Sequence, residues 1–292
     1  MSAKVISASL AGSVLLGGEM SVHRVGFGAM RLTGEGIWGQ PKNRTDAITV
    51  LRRALELGLN FIDTADSYGP RVSEELIAEA LFPYPSGLVV ATKGGWNRPG
   101  PNQWTHDATP SHLRQAVEGS LKRLRLERIE LYQLHTPDPV VPFEDSVGTL
   151  AELKNEGKIR LIGLSNVTQE HIERARRIVP IVSVQNRYSF ADREWDYVVD
   201  YCGRNGIAFI PWFPLGAGRL AGEVLGQVAR AHEASSNQVA IAWLLRRSPI
   251  MLPIPGTSSV SHLEENVAAA SLRLSDLEYE KLSRVPQLAA TR

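Results

Sequence analysis

Short β-rich runs alternate with longer helical patterns eight times along this chain, and no other feature restricts the fold as strongly. The pattern predicts strands at Val25–Gly28, Asn60–Asp63, Leu88–Lys93, Ile129–His135, Leu161–Leu164, Ile181–Gln185, Ala208–Trp212 and Met251–Ile254. Most are continuous apolar runs, as parallel strands covered on both faces should be. Between them, apolar spacing predicts helices that include Thr45–Leu57, Pro110–Leu126, Glu144–Glu156 and Gln169–Ile178. Thr45 is the expected cap of the first, with Gly58 just past its end. Thr109-Pro110 places proline in the first turn of the second, and Gly157 closes the third. Eight such units in about 250 residues match an α/β fold of the closed (β/α)8 TIM-barrel type. Ahead of them, Gly17-Gly18 between strand-like residues predicts an N-terminal β-hairpin that plugs one end.

No Pro/Gly/Ser linker or charge block divides the 292 residues, so a single domain over 1–292 is expected. Hydrophobic residues make up 43% and charged residues 22%, which supplies a large core and excludes a disordered or fibrous chain. Lys and Arg total 32 against 31 for Asp and Glu, so no basic stripe for nucleic acid arises. The lone Cys202 excludes an intrachain disulfide and a thiolate metal cluster. It also suits a reducing compartment. The mildly apolar stretch from Lys4 to Leu16 is interrupted by Ser7, Ser9, Gly12 and Ser13, and reads as a tail entering the hairpin rather than a signal peptide. No apolar run approaches the roughly 18 residues of a membrane span. The expectation is a cytoplasmic protein, monomeric by default.

In a (β/α)8 barrel the chemistry sits at the C-terminal ends of the strands. The second predicted strand runs into Asp63-Thr64-Ala65-Asp66-Ser67-Tyr68-Gly69, the third ends at Lys93, and the fourth in Gln133-Leu134-His135. Taken singly, Asp63 is a turn cap, Tyr68 a rim aromatic, Lys93 a solvated terminus and His135 a core histidine. Together they place an acid, a phenol, a cation and an imidazole on one rim. A Lys at the end of so apolar a strand also needs a partner. The combination suits proton donation: Lys93, held by Asp63, would lower the pKa of Tyr68, and His135 would orient a carbonyl oxygen.

Asp63-Thr64-Ala65-x-x-Tyr68-Gly69, followed by Lys93 and His135, resembles the catalytic tetrad of the aldo-keto reductases. The resemblance runs from about Gly26 to Asn266. It implies a barrel enzyme that moves a hydride between NADP(H) and a carbonyl or alcohol, with Tyr68 as general acid. It further implies that Ser165, Asn166 and Gln185 hold the nicotinamide amide and that Trp212 stacks on the nicotinamide ring. Pro214, Leu215, Gly216, Gly218 and Arg219 would then follow the cofactor, with Gly256, Ser258, His262, Glu265 and Asn266 at the adenosine phosphate. Gly256 and His262 occupy positions that are often basic in the family, which weakens strict selectivity for NADPH over NADH.

Gly216-x-Gly218-x-x-Ala221 also fits a dinucleotide fingerprint formally. The next strand ends in Pro255-Gly256 with no acid, and six strand–helix units precede it, so that reading fails. The seven histidines show no H-x-H or H-E-x-x-H spacing, and no metal is expected. Gly163-Leu164-Ser165-Asn166-Val167 lacks the closing glycine of a nucleophile elbow.

Trp38, Trp96, Trp104 and Phe190 are the candidate pocket walls and suggest a flat or aromatic small-molecule carbonyl. Gly28-Ala29-Met30-Arg31-Leu32, with Gly36-Ile37-Trp38-Gly39, is similar to the pyridoxal reductase branch of the family. A secondary-metabolite carbonyl, a nucleotide-sensing regulator on the same barrel, and a barrel enzyme of unrelated chemistry remain the alternatives.

Overall fold

The computed structural model describes residues 6–216 and 222–285. The hairpin forms as expected. Strands β1 (Ser13–Leu16) and β2 (Met20–His23) pair antiparallel, and Gly17 and Gly18 both take positive φ in the turn between them. Leu16 and Val22 are fully buried among barrel-interior residues such as Phe61, Leu131 and Ile210. A Cβ on Gly17 would lie 3.0 Å from Leu161, so the hairpin turn sits directly on the barrel interior.

The barrel begins with β3 (Phe27–Gly28) and β4 (Phe61–Asp63). It continues with β5 (Val89–Gly94), β8 (Ile129–Leu134), β9 (Ile159–Ser165), β10 (Ile181–Gln185) and β11 (Ala208–Phe209). These seven strands form one parallel sheet in the order β3-β4-β5-β8-β9-β10-β11. The eighth predicted strand, Met251–Ile254, closes the barrel without being a regular strand. Leu252 N–H donates to Phe209 O at 2.8 Å on one side, and Gly26 N–H to Pro253 O at 2.9 Å on the other. Pro253 and Pro255 lack N–H donors, which limits the ladder here to one bridge, Phe209 to Met251.

Helices α1 (Arg44–Glu56), α2 (Val72–Leu81), α3 (Pro110–Leu124), α4 (Phe143–Asn155) and α5 (Gln169–Arg176) follow their strands. The circuit is completed by α6 (Asp196–Asn205), α7 (Glu223–Ala231), α8 (Ser236–Arg247), α9 (Val260–Ala268) and α10 (Asp276–Ser283). The cap of α1 is Asn43 rather than Thr45: its side chain accepts from the N–H groups of Thr45 and Asp46. Thr109 caps α3 as predicted, accepting from His112 N–H. One element has no counterpart in the sequence reading, a short antiparallel pair β6 (Trp96–Asn97) and β7 (Thr105–His106) standing on the rim after β5. Among the described residues no helix is long and apolar enough to cross a membrane.

Candidate active site

Strand register brings Asp63, Lys93, Gln133 and Gln185 to the same end of the barrel. Gly28 pairs with Asp63, Lys93 with Gln133, and Gln185 with Ser165. Lys93 is fully buried, and its three ammonium protons have three acceptors. Nζ donates to Asp63 Oδ2 at 2.6 Å, to Thr64 O at 2.9 Å and to the Tyr68 phenol oxygen at 3.5 Å. Asp63 is equally enclosed. Its Oδ1 accepts from Gln133 Nε2 at 3.1 Å and Gln185 Nε2 at 2.8 Å. Gly163 makes this convergence possible, because a Cβ there would stand 3.0 Å from Gln133 Cγ and 2.2 Å from Ser183 Oγ.

Burial pulls the Lys93 ammonium down, but the Asp63 carboxylate and Tyr68 beside it outweigh that, and the net direction is up. Lys93 is therefore a fixed cation. For Tyr68 burial comes first and raises the pKa, Lys93 opposes it, Asp63 works against Lys93, and the result lies above the ordinary value. The sequence reading expected a net lowering. In this enclosure desolvation wins, so the phenol stays protonated at neutral pH. Because Lys93 donates to the phenol oxygen, the phenolic proton remains available for another acceptor.

His135 meets Tyr68 edge to face with ring centroids 5.8 Å apart. Burial, then Lys93 and Arg98, hold its pKa well below the usual imidazole range, which makes it neutral. Ser67 Oγ lies 3.4 Å from Nδ1. Donation from that hydroxyl would leave the ring proton on Nε2.

These groups floor a cavity of about 530 Å³ that extends along the rim to Pro255 and Gly256. Ser165, Asn166, Gln185, Trp212, Pro214, Leu215 and Gly256 line it as the sequence reading expected. Two of their amides already have partners, however. Gln185 Nε2 is held on Asp63, and Asn166 bonds His135 O at 2.9 Å through Nδ2 and the Trp212 indole N–H at 3.0 Å through Oδ1. Asn166 thus fixes the Trp212 ring, while Gln185 orients the carboxylate that holds Lys93.

Ser258, His262, Glu265 and Asn266 lie on the following turn and α9, beyond the lining residues. There Ser259 caps α9 by accepting from His262 N–H, and Glu265 accepts from the Ser235 hydroxyl. Gly216 stands one residue beyond the lining residue Leu215. Gly218 and Arg219, with the rest of the formal glycine fingerprint as far as Ala221, fall outside the described residues.

The predicted aromatic walls divide. Trp96 and Trp104 line the cavity, each with its centroid 6.4 Å from His135. Phe190 does not line it. It is buried in the core against Trp243, with centroids 5.7 Å apart, because the chain after β10 turns it inward. Trp38 is likewise not a lining residue: residue 38 bridges to Gly69 and its ring faces Arg98. Sequence reasoning missed Gln133, although it stands in the quoted Gln133-Leu134-His135. It also missed Met30, Arg31, Phe213 and Asn237 as lining residues, whereas Ile37, in the Gly36-Ile37-Trp38-Gly39 run expected at the wall, does line the cavity. Arg31 forms no salt bridge among the described residues.

A closed (β/α)8 barrel with a buried acid–cation–phenol array and a neutral imidazole at its strand ends defines a class of barrel oxidoreductases. The Aldo/keto reductase family model matches residues 24–286, and the chain belongs to that family. It is 52% identical over 279 residues to an uncharacterized oxidoreductase of Schizosaccharomyces pombe, covering 95% of this chain and 90% of that protein. It is 46% identical over 266 residues to pyridoxine 4-dehydrogenase of Escherichia coli, covering 89% and 93%. Among solved structures, it is similar to an aldo/keto reductase of Klebsiella pneumoniae in complex with NADP and acetate. There the TM-score is 0.81 at 26% identity, with 96% of this chain and 97% of that chain covered.

Proposed function

We propose that this protein is an NADPH-dependent carbonyl reductase that converts a small aromatic aldehyde, pyridoxal foremost, to its alcohol. The observation that carries this reading is the array Asp63–Lys93–Tyr68, with contacts of 2.6 and 3.5 Å, set beside a neutral His135 on the floor of the cavity.

The cavity suits a dinucleotide. Gly28 and Gly256 let the first and last barrel segments approach so closely that a Cβ on either would lie 2.6 or 2.5 Å from a carbonyl oxygen. Arg31 stands beside Gly256 and offers a cation to a phosphate. Ser165 and Trp212 would hold the nicotinamide end, and the turn at Ser258, entering α9, the adenosine end. NADPH, when bound, supplies the hydride.

The chain's own residues do the remainder. Nε2–H of His135 would donate a hydrogen bond to the carbonyl oxygen and orient it. As negative charge builds on that oxygen, the Tyr68 hydroxyl gives it its proton, and the Lys93 cation stabilises the phenolate left behind. Asp63, held by Gln133 and Gln185, keeps Lys93 in place through the cycle. The 46% identity to pyridoxine 4-dehydrogenase and the edges of Trp96 and Trp104 at the cavity favour a flat aromatic ring on the substrate side.

The test is a titration with NADPH and with NADH followed by tryptophan fluorescence, then turnover of pyridoxal with the bound nucleotide. Quenching by NADPH and nucleotide-dependent loss of pyridoxal are expected. Absence of binding by either nucleotide would overturn the reading.

A further inference from the structure

Arg98 lies on the rim loop between β6 and β7, and its guanidinium joins three segments that sequence places far apart. Nη1 donates to Ile37 O at 3.0 Å and to Ser67 O at 2.9 Å, Nη2 to Gly36 O at 2.9 Å, and Nε to Gln103 O at 2.9 Å. The loop after β3, the loop carrying Tyr68 and the β6–β7 loop are therefore fastened at one point. The carbon between these nitrogens also sits 3.8 Å from the centroid of Trp104 and 5.7 Å from that of Trp38.

The fastened backbone is under strain. Ile37, a cavity-lining residue, has φ +55, and Asn102 in the β6–β7 loop also has φ +55. A β-branched residue takes that conformation only when its surroundings impose it. The Ile37 carbonyl is held by Arg98 and, at 3.3 Å, by Gly69 N–H, while Asn102 N–H donates to Gly36 O at 3.1 Å. Each of the three loops contributes to the site: Ile37 and Trp104 to the wall, and Ser67 to the position of His135 through its hydroxyl.

We propose that Arg98 is a positioning residue that determines substrate specificity. It assembles the three loops into one wall and holds Trp104 for the flat ring of an aromatic aldehyde. This rests on the reductase reading for its substrate, but the wall itself does not depend on that reading. Without Arg98, Ile37 relaxes out of its left-handed conformation, Trp104 loses the cation that covers one face of its ring, and the substrate end of the cavity loses its shape. The nucleotide end, formed by Trp212, Pro214 and Gly256, takes no hydrogen bond from Arg98.

The test uses Arg98→Met, which keeps much of the side-chain length, and Arg98→Lys, which keeps the charge. Hydrogen–deuterium exchange on the free enzyme should rise in residues 34–39, 66–69 and 98–104 of both variants while the barrel strands are unchanged. Equal protection in wild type and variants would overturn the proposal whether or not the protein reduces aldehydes. In turnover with NADPH, kcat/KM for pyridoxal should fall by about tenfold or more, through KM, since small displacements at a reacting site reach that scale. The value for propanal should fall far less, and NADPH affinity should stay the same. An equal fall for both aldehydes, or full rescue by Arg98→Lys, would refute the specificity role. A wild type that turns over neither aldehyde would instead refute the reductase reading, and the exchange experiment would still decide the role of Arg98.

Discussion

Replacing Asp63 by Asn keeps the shape of the side chain and removes the charge on which the buried array depends. If the new amide nitrogen faces Lys93, a fully buried ammonium loses its anionic partner. If it faces the other way, it meets the Nε2 groups of Gln133 and Gln185, both of which are donors. Neither orientation restores the pairing. Removing one partner of a buried ion pair costs about 3–5 kcal/mol. In a chain of this length each kcal/mol moves Tm by about 1.6 °C, so Tm should fall by about 5–8 °C at neutral pH. With Asp63 gone, only Tyr68 still opposes the burial that lowers the pKa of Lys93, and the unfolded chain then binds the extra proton. Stability of the variant should therefore recover as pH rises toward about 10. Scanning calorimetry of both proteins across pH makes the measurement. A neutral-pH Tm within about 2 °C of wild type would refute the claim that Asp63 is the counter-ion of a charged Lys93.

Three further outcomes follow from residues around the array. Burial, then Glu74, raises the pKa of Asp66 from 3.8 to about 8, and its Oδ1 has no hydrogen-bond partner among the described residues. Its raised folded pKa means that the native state holds a proton the unfolded chain has lost, so wild-type stability falls as pH climbs from about 4 to about 8. Asp66→Asn removes that slope and should gain at least about 1 kcal/mol on wild type between about pH 5 and about pH 8, read as the difference in urea midpoints. Parallel pH profiles would contradict this. Gly163→Ala would drive a methyl group to 2.2 Å from Ser183 Oγ and into Gln133. It should cost about 1–3 kcal/mol and lower kcat more than it weakens NADPH binding. Trp212→Phe removes the indole N–H that Asn166 accepts, and should abolish most of the fluorescence quenching by NADPH. Undiminished quenching would place the responding tryptophan elsewhere.

The barrel and the array were legible because both depend on strand order and strand ends, which apolar runs mark directly. Asp63, Lys93 and His135 each terminate such a run, and Tyr68 follows Asp63 by a fixed number of residues. The eighth strand was legible as a segment but not as an irregular one, since Pro253 and Pro255 act by withholding hydrogen bonds from neighbours remote in sequence. The sequence reading put the cap of α1 at Thr45, but Asn43, two positions earlier, takes it by accepting from the N–H groups of both Thr45 and Asp46. Loop aromatics were the least legible. Whether Phe190 or Trp104 faces the cavity depends on backbone turns fixed by distant partners, Trp243 in one case and Arg98 in the other. Arg98 itself, in a stretch rich in Gly and Pro, reads as a solvated loop residue until the three segments it joins are seen together. The same limit hid the use of Gln185 and Asn166, whose amides serve the array and the Trp212 ring.

The most direct test of the central claim is turnover by Tyr68→Phe, which removes one oxygen from the cavity floor and leaves Lys93 paired with Asp63. The account predicts that NADPH still binds with wild-type affinity while kcat for pyridoxal falls by about 10²–10⁴-fold, the range for loss of a general acid. Turnover at the wild-type rate would contradict it, and would show that the proton reaches the alkoxide from another group.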